Sequence, residues 1–300
     1  MWFESSVLAA TAKAGNQVVT KTLVQTEGVL PVTAIGQIVA GILLLPFLLV
    51  PGLVHFPTSS DFLLAAWIAI VLNMVAVLFL VKAIQCSDLS IALPFLALSP
   101  MFTVFSAWLV RGESVTLASL AGMALVVSGA LTVDAKSARD GIHFGGLRVF
   151  RDRGVQLVTA TSFIYSYTAV FDKNATLLSS PFDFMIYSTL ARAILFTGIL
   201  LLIRRKPQPT GPIPSQRSVL RRRILVLYLL LGISYNVESV FHLMALSTGL
   251  VALVVSIKRL SILITSVIGM TLFHEPRTVP RLLGATLMVA GSVIIYLQDG

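Results

Sequence analysis

An ungapped internal repeat constrains this chain more than any other feature of its sequence. Residues 94–133 read as two apolar helices joined by the polar turn Arg111-Gly112-Glu113-Ser114. Moving on by 162 residues, from Glu113 to Glu275, the stretch beginning at Ser256 reads the same way. Leu98, Ser99, Thr103, Glu113, Thr116, Leu120, Gly122, Leu125, Val127 and Gly129 meet Leu260, Ser261, Thr265, Glu275, Thr278, Leu282, Gly284, Leu287, Val289 and Gly291. A repeat of fixed period settles the architecture before any single residue does. In each copy the second helix carries two glycines seven apart, hence on one face: Gly122 with Gly129, and Gly284 with Gly291.

The repeated units are apolar enough for lipid. Hydrophobic residues make up 56% of the chain and charged ones 12%, against about 25% charged in soluble domains. Apolar runs of near-spanning length recur throughout, at residues 5–24, 32–50, 62–84, 90–110, 115–133, 155–171, 184–203, 224–246, 251–273 and 279–297. The first is interrupted by Lys13, Asn16, Gln17 and Lys21. It is read as a spanning helix with polar residues toward the bundle, an interfacial helix being the alternative.

The fold class expected is therefore an all-α membrane protein of ten transmembrane helices. An odd count of five per repeat inverts the second copy relative to the first. Residues 1–133 form the first repeat, 134–154 a basic connector and 155–300 the second. In such a protein the net charge of +9 marks cytoplasmic loops, and no nucleic-acid partner is expected. A single cysteine, Cys86, excludes an intrachain disulfide and a cysteine metal cluster. The opening MWFESSV lacks the basic region of a cleaved signal peptide.

The doubled pattern of apolar helix, Gly-Glu or His-Glu turn and glycine-paired helix resembles the EamA domain of the drug/metabolite transporter superfamily. Residues 98–129 and 260–291 carry the resemblance, and the ten-helix layout extends it over nearly the whole chain. Two departures stand out. Residues 51–61, after the second helix, hold no Lys or Arg, and the proline kept as Pro100 is replaced by Ile262 in the ninth helix. The resemblance implies a cell-membrane exporter or exchanger of amino acids, other metabolites, drugs or sugar-phosphate-like solutes.

Ionisable residues inside the membrane cost roughly 2.5–3.5 kcal/mol each at a helix centre, so each is a functional hypothesis. Glu238 and Lys258 both stand ten residues from Thr248, which places them at one depth on antiparallel neighbours. They are expected to pair, with Arg259 as the alternative partner. His242 shares the face of Glu238. The corresponding first-half positions are Ala76, Leu80, Leu96 and Ala97, so the scaffold is duplicated and the charges are not. That asymmetry points to a polar cavity wall supplied by the second half; a purely structural ion pair is the competing reading. Arg192, Lys13, Asn16, Asn73, Tyr165 and Tyr235 complete a mixed lining. The repeated glutamates Glu113 and Glu275 read either as gate contacts or as carboxylates at the N-terminus of the next helix.

No phosphate loop and no catalytic or metal-ligating cluster is present, so neither an enzyme nor a cofactor is expected. The function expected is secondary transport of small polar or amphipathic metabolites by alternating access, with the lipid bilayer and a small-molecule substrate as partners. The substrate contacts would be Glu238, Lys258, Arg259, Arg192, His242, Asn16, Asn73, Tyr165 and Tyr235. A lipid-carrier flippase and a non-transporting scaffold or receptor are the alternatives, and the oligomeric state, a homodimer included, is left open. The basic stretches at 136–153 and 204–223 place their own face in the cytoplasm and both termini outside it, whereas the family resemblance implies termini inside.

Overall fold

The computed structural model describes residues 1–86, 93–134, 151–202, 217–272 and 279–299. Within them the chain is helical: α1 (Trp2–Glu27), α2 (Val29–Leu48), α3 (Ser60–Cys86), a 3-10 stretch (Leu93–Leu98) leading into α4 (Ser99–Arg111), α5 (Leu117–Asp134), α6 (Arg153–Leu177), α7 (Pro181–Leu202), α8 (Arg217–Thr248), α9 (Val251–Lys258), α10 (Leu260–Leu272) and α11 (Val279–Asp299). Among the described residues four segments are long and apolar enough to cross a membrane alone: Val29–Leu48, Ser60–Leu80, Pro181–Leu202 and Arg222–Thr248.

The distribution of side chains is inverted relative to a soluble protein. Ser99, Thr103, Ser106, Thr161, Ser162 and Ser166 are buried, whereas Ile42, Leu64, Trp108, Ile194 and Leu225 are exposed. A continuous apolar exterior is tolerated only against lipid, and small hydroxyl residues between helices allow close approach while their groups bond to backbone. Ser162 Oγ donates to the Phe95 carbonyl at 2.8 Å and Ser106 Oγ to the Ser166 carbonyl at 3.2 Å.

The paired glycines meet crosswise. A Cβ on Gly122 would lie 2.9 Å from the Gly291 carbonyl oxygen, and one on Gly129 would lie 2.6 Å from that of Gly284. Helices α5 and α11 thus run antiparallel with backbone against backbone, the scaffold role expected of these glycines.

Several segments differ from the sequence reading. Residues 251–273 do not form one helix: α9 ends at Lys258, and Arg259 turns the chain into α10. No Pro or Gly lies within four residues of this break, and it coincides with a tertiary contact, the hydrogen bond from Arg259 Nη2 to Ser99 Oγ. In the fourth segment the 3-10 stretch gives way to α4 between Leu98 and Ser99, one residue beyond Ala97, the repeat equivalent of Arg259, and Pro100 occupies the start of α4. Helix α6 runs on to Leu177 rather than ending at 171, because Ala175 and Thr176 remain buried against neighbours. Helix α8 begins at Arg217, so part of the basic stretch expected as a loop is helical. The rest of the two basic stretches, and Glu275 with its turn, lie outside the described residues.

Candidate functional site

Helical periodicity assembles one polar cluster from five helices. On α8, Tyr235, Glu238 and His242 are spaced by three and four residues and share a face; on α1, Lys13 and Asn16 do the same. Glu238 is 7% exposed and sits where these faces meet. Its carboxylate lies 2.9 Å from Lys258 Nζ and 3.4 Å from Lys13 Nζ, and accepts from Asn16 Nδ2 at 3.4 Å. Lys13 and Asn16 of α1 therefore turn toward Glu238 of α8, the bundle-facing arrangement expected of a spanning helix.

Around this centre stand further charges. Arg259, at the break after α9, interacts with Tyr165 and Glu238. Arg192, midway along α7, bonds Thr189 Oγ1 at 3.3 Å and interacts with Asp172, Glu238, Tyr235 and Tyr165. Tyr235 interacts with Glu238, Asn16 and Thr20. His242 interacts with Lys258 and Glu238. Of the residues named from sequence, Asn73 makes none of these contacts among the described residues; it stays half-buried on α3.

Two members went unread in the sequence. Asp172 lies one residue past the expected end of the sixth segment, yet it interacts with Arg192 and Lys258. Its seven-residue spacing from Tyr165 was the available signal. Ser99 enters only because the break in the fourth segment presents it to Arg259.

The cluster thus holds four cations (Lys13, Arg192, Lys258, Arg259) against two carboxylates (Asp172, Glu238). Arg192 Nε, Arg259 Nε and His242 Nδ1 are buried without a hydrogen-bond partner among the described residues. Buried polar atoms are nearly always paired, so these three set the cluster apart from a fully satisfied ion-pair network.

A second network lies at the end of the bundle that carries the N-terminus of α1. Glu113 Oε1 receives Lys173 Nζ at 2.7 Å and Arg111 Nε at 2.8 Å, while Oε2 accepts the Val251 N–H at 2.9 Å. Lys173 also donates to the Gly249 carbonyl at 2.8 Å. Glu113 does cap a helix, but not the one that follows it. The N-terminus of α5 is held by Thr116, whose Oγ1 accepts the Ser119 N–H at 3.1 Å, leaving Glu113 free to cap α9 in the other half of the chain. Gly112 makes this reach available: its φ of 66° ends α4 in a left-handed turn that other residues adopt only with strain. Burial alone would raise the Glu113 carboxyl, but the bonds from Lys173, Val251 and Arg111 outweigh it and hold the group below the usual carboxylate range. Lys173 was another residue placed beyond the sixth segment by the sequence reading.

Comparison with known proteins gives three results. The profile of a family described as "EamA-like transporter family" matches residues 4–133 and 152–297. A solved structure titled "Crystal structure of protein" is similar with a TM-score of 0.76 and 16% sequence identity, covering 99% of this chain and 96% of its own; at that identity it speaks for the fold alone. Among curated proteins none matches the chain.

Proposed function

Since the chain belongs to the EamA-like transporter family, an integral membrane transporter, we propose that it moves small anionic metabolites as a secondary transporter, by alternating access between two inverted five-helix halves. The observation that carries the choice of an anion is the surplus of two positive charges around the Glu238 cluster, together with the unpartnered Nε atoms of Arg192 and Arg259. A guanidinium presents its donors in a planar fork that suits carboxylate and phosphate oxygens. Arg259, Arg192 and Lys258 would grip the anionic group, with Glu238 the internal counter-ion that a substrate competes against. His242, Asn16, Tyr165 and Tyr235 would supply neutral contacts.

The crosswise meeting of Gly122 with Gly291 and of Gly129 with Gly284 supports ten spans in inverted halves, because an axis in the membrane plane exchanges each contact with the other. The chain breaks at Leu98 and Arg259 support it too, since they fall within one residue of equivalent repeat positions. In this reading the Glu113 network is the closed gate of one face, and a solute gradient or exchange drives the cycle.

The test is thermal stabilisation of purified protein by matched series of dianionic, monoanionic and neutral metabolites, followed by uptake into sealed proteoliposomes. A ligand that binds the folded state raises its stability in proportion to ln(1 + [L]/Kd). Dianions are expected to stabilise most, and Arg259→Ala to abolish both stabilisation and uptake. Stabilisation by neutral solutes alone, unchanged in Arg259→Ala, would refute the reading.

A further inference from the structure

Beside the Glu113 network, at the same ends of the helices, lies a crevice of about 410 Å3. It is formed where the start of α3, the end of α4 and the end of α6 come together. Its polar lining is Asp61, Arg111 and Asn174, and the remaining wall is apolar. On that wall Leu64, Leu177 and Leu178 are 64%, 50% and 45% exposed. The crevice therefore has an apolar rim turned to the bilayer and polar groups at helix ends, the level at which lipid headgroups sit.

The two charges in the crevice do not neutralise each other. Arg111 uses Nε on Glu113 and Nη1 on Asn174, while its Nη2 has no partner among the described residues. Asp61 receives only a long bond from Ser60 Oγ at 3.4 Å, and no ion pair joins it to Arg111 among the described residues. The Lys173–Glu113–Arg111 network carries one net positive charge and leaves the Arg111 Nη2 donor available; with the Asp61 carboxylate lining the same crevice under an apolar rim, this complements a zwitterion that carries hydrocarbon.

We propose that this crevice binds the headgroup of a phospholipid with a primary ammonium, phosphatidylethanolamine, its phosphate on Arg111 and its ammonium on Asp61. The acyl chains then run along Leu64, Leu177 and Leu178. Asp61 sets the preference. A trimethylammonium headgroup has no N–H to donate to the carboxylate, and a glycerol headgroup brings no cation. Because Arg111 also holds Glu113, the bound phosphate fixes the guanidinium that closes this face, so the lipid favours the closed arrangement. The site stands independently of which solute the chain transports.

Native mass spectrometry of the full-length protein, purified from an equimolar mixture of phosphatidylethanolamine, phosphatidylcholine and phosphatidylglycerol, tests the proposal. Phosphatidylethanolamine is expected to be retained about tenfold over phosphatidylcholine, the equivalent of one charge-assisted hydrogen bond. Asp61→Asn, nearly isosteric and tolerated at a helix start, is expected to erase that preference without lowering the melting temperature. Leu64→Trp, which fills the crevice from its rim, is expected to lower retention of all three lipids. Equal retention of the first two lipids by the unaltered protein, or a preference that survives Asp61→Asn, overturns the site. Displacement of the lipid by an equal concentration of soluble phosphoethanolamine overturns it as well, since the crevice would then be a solute site.

Discussion

Lys258 Nζ lies 2.9 Å from Glu238 Oε1, although the corresponding first-half positions hold Leu96 and Ala76. Lys13 stands on the other side of the same carboxylate at 3.4 Å, so the pair is one edge of a triad. Removing one member of a buried pair leaves an uncompensated charge, at a cost of about 3–5 kcal/mol. Glu238→Ala should therefore destabilise most, because it strands two lysines. Lys258→Ala should cost less, because Lys13 still neutralises the carboxylate. The double variant should recover part of the loss. Thermal melts of the four proteins check this, and strictly additive effects would disprove the coupling.

The Glu113 network ties the α4–α5 turn to the α8–α9 turn. Spin labels on Ser114→Cys and Thr248→Cys, in a Cys86→Ser background, read the separation of the two turns. The unaltered network should give one short distance. Glu113→Gln loses the charge that holds Lys173 and Arg111, and it should add a second, longer population. An unchanged distribution would remove the gate from the mechanism.

The same carboxylate makes a signed prediction for pH. Its folded pKa is depressed from the usual 4.5, so its contribution to stability is fully present above about 4.5 and is lost as pH falls through the lower folded value. The difference in melting temperature between the unaltered protein and Glu113→Gln should be constant from neutral pH down to about 5 and shrink below 4.5. A difference that grows on acidification would contradict the assignment.

Glycines in the helices separate into two kinds. On Gly129 a Cβ would meet the Gly284 carbonyl oxygen at 2.6 Å and the Met288 nitrogen at 2.8 Å, both backbone atoms that no rotamer change can move. Gly129→Ala should cost about 1–3 kcal/mol by forcing α5 and α11 apart. On Gly198 a Cβ meets nothing within 4 Å, so Gly198→Ala should be neutral or gain up to about 1 kcal/mol from helix propensity. Equal effects at the two sites, measured by thermal melting, would contradict the close packing.

Orientation is checked by labelling single cysteines at positions 212 and 299 from outside intact cells, with an impermeant maleimide in the Cys86→Ser background. The charge distribution predicts labelling at 299 and not at 212. The reverse pattern would place the termini in the cytoplasm.

Periodicity, composition and the repeat are local quantities, and they carried the helical class, the apolar spans and the glycine seam directly in the sequence. Depth along antiparallel helices is nearly as local, and counting from Thr248 was enough to pair Glu238 with Lys258. Lys13 joins that pair because α1 packs along α8, a choice of neighbour that no spacing in the chain encodes. The same holds for Glu113: its place in a turn was legible, but its partners Lys173 and Val251 lie 60 and 138 residues away. The left-handed turn at Gly112 and the cap that Thr116 gives to α5 decide where that carboxylate points. Asp172 and Lys173 were lost for a related reason. A polar pair after an apolar run reads as the end of a helix, and only the burial of Ala175 and Thr176 against neighbouring helices carries α6 past them. Which charges face one another is a property of helix packing, because the energy of a buried charge depends on everything around it and not on its position in the chain.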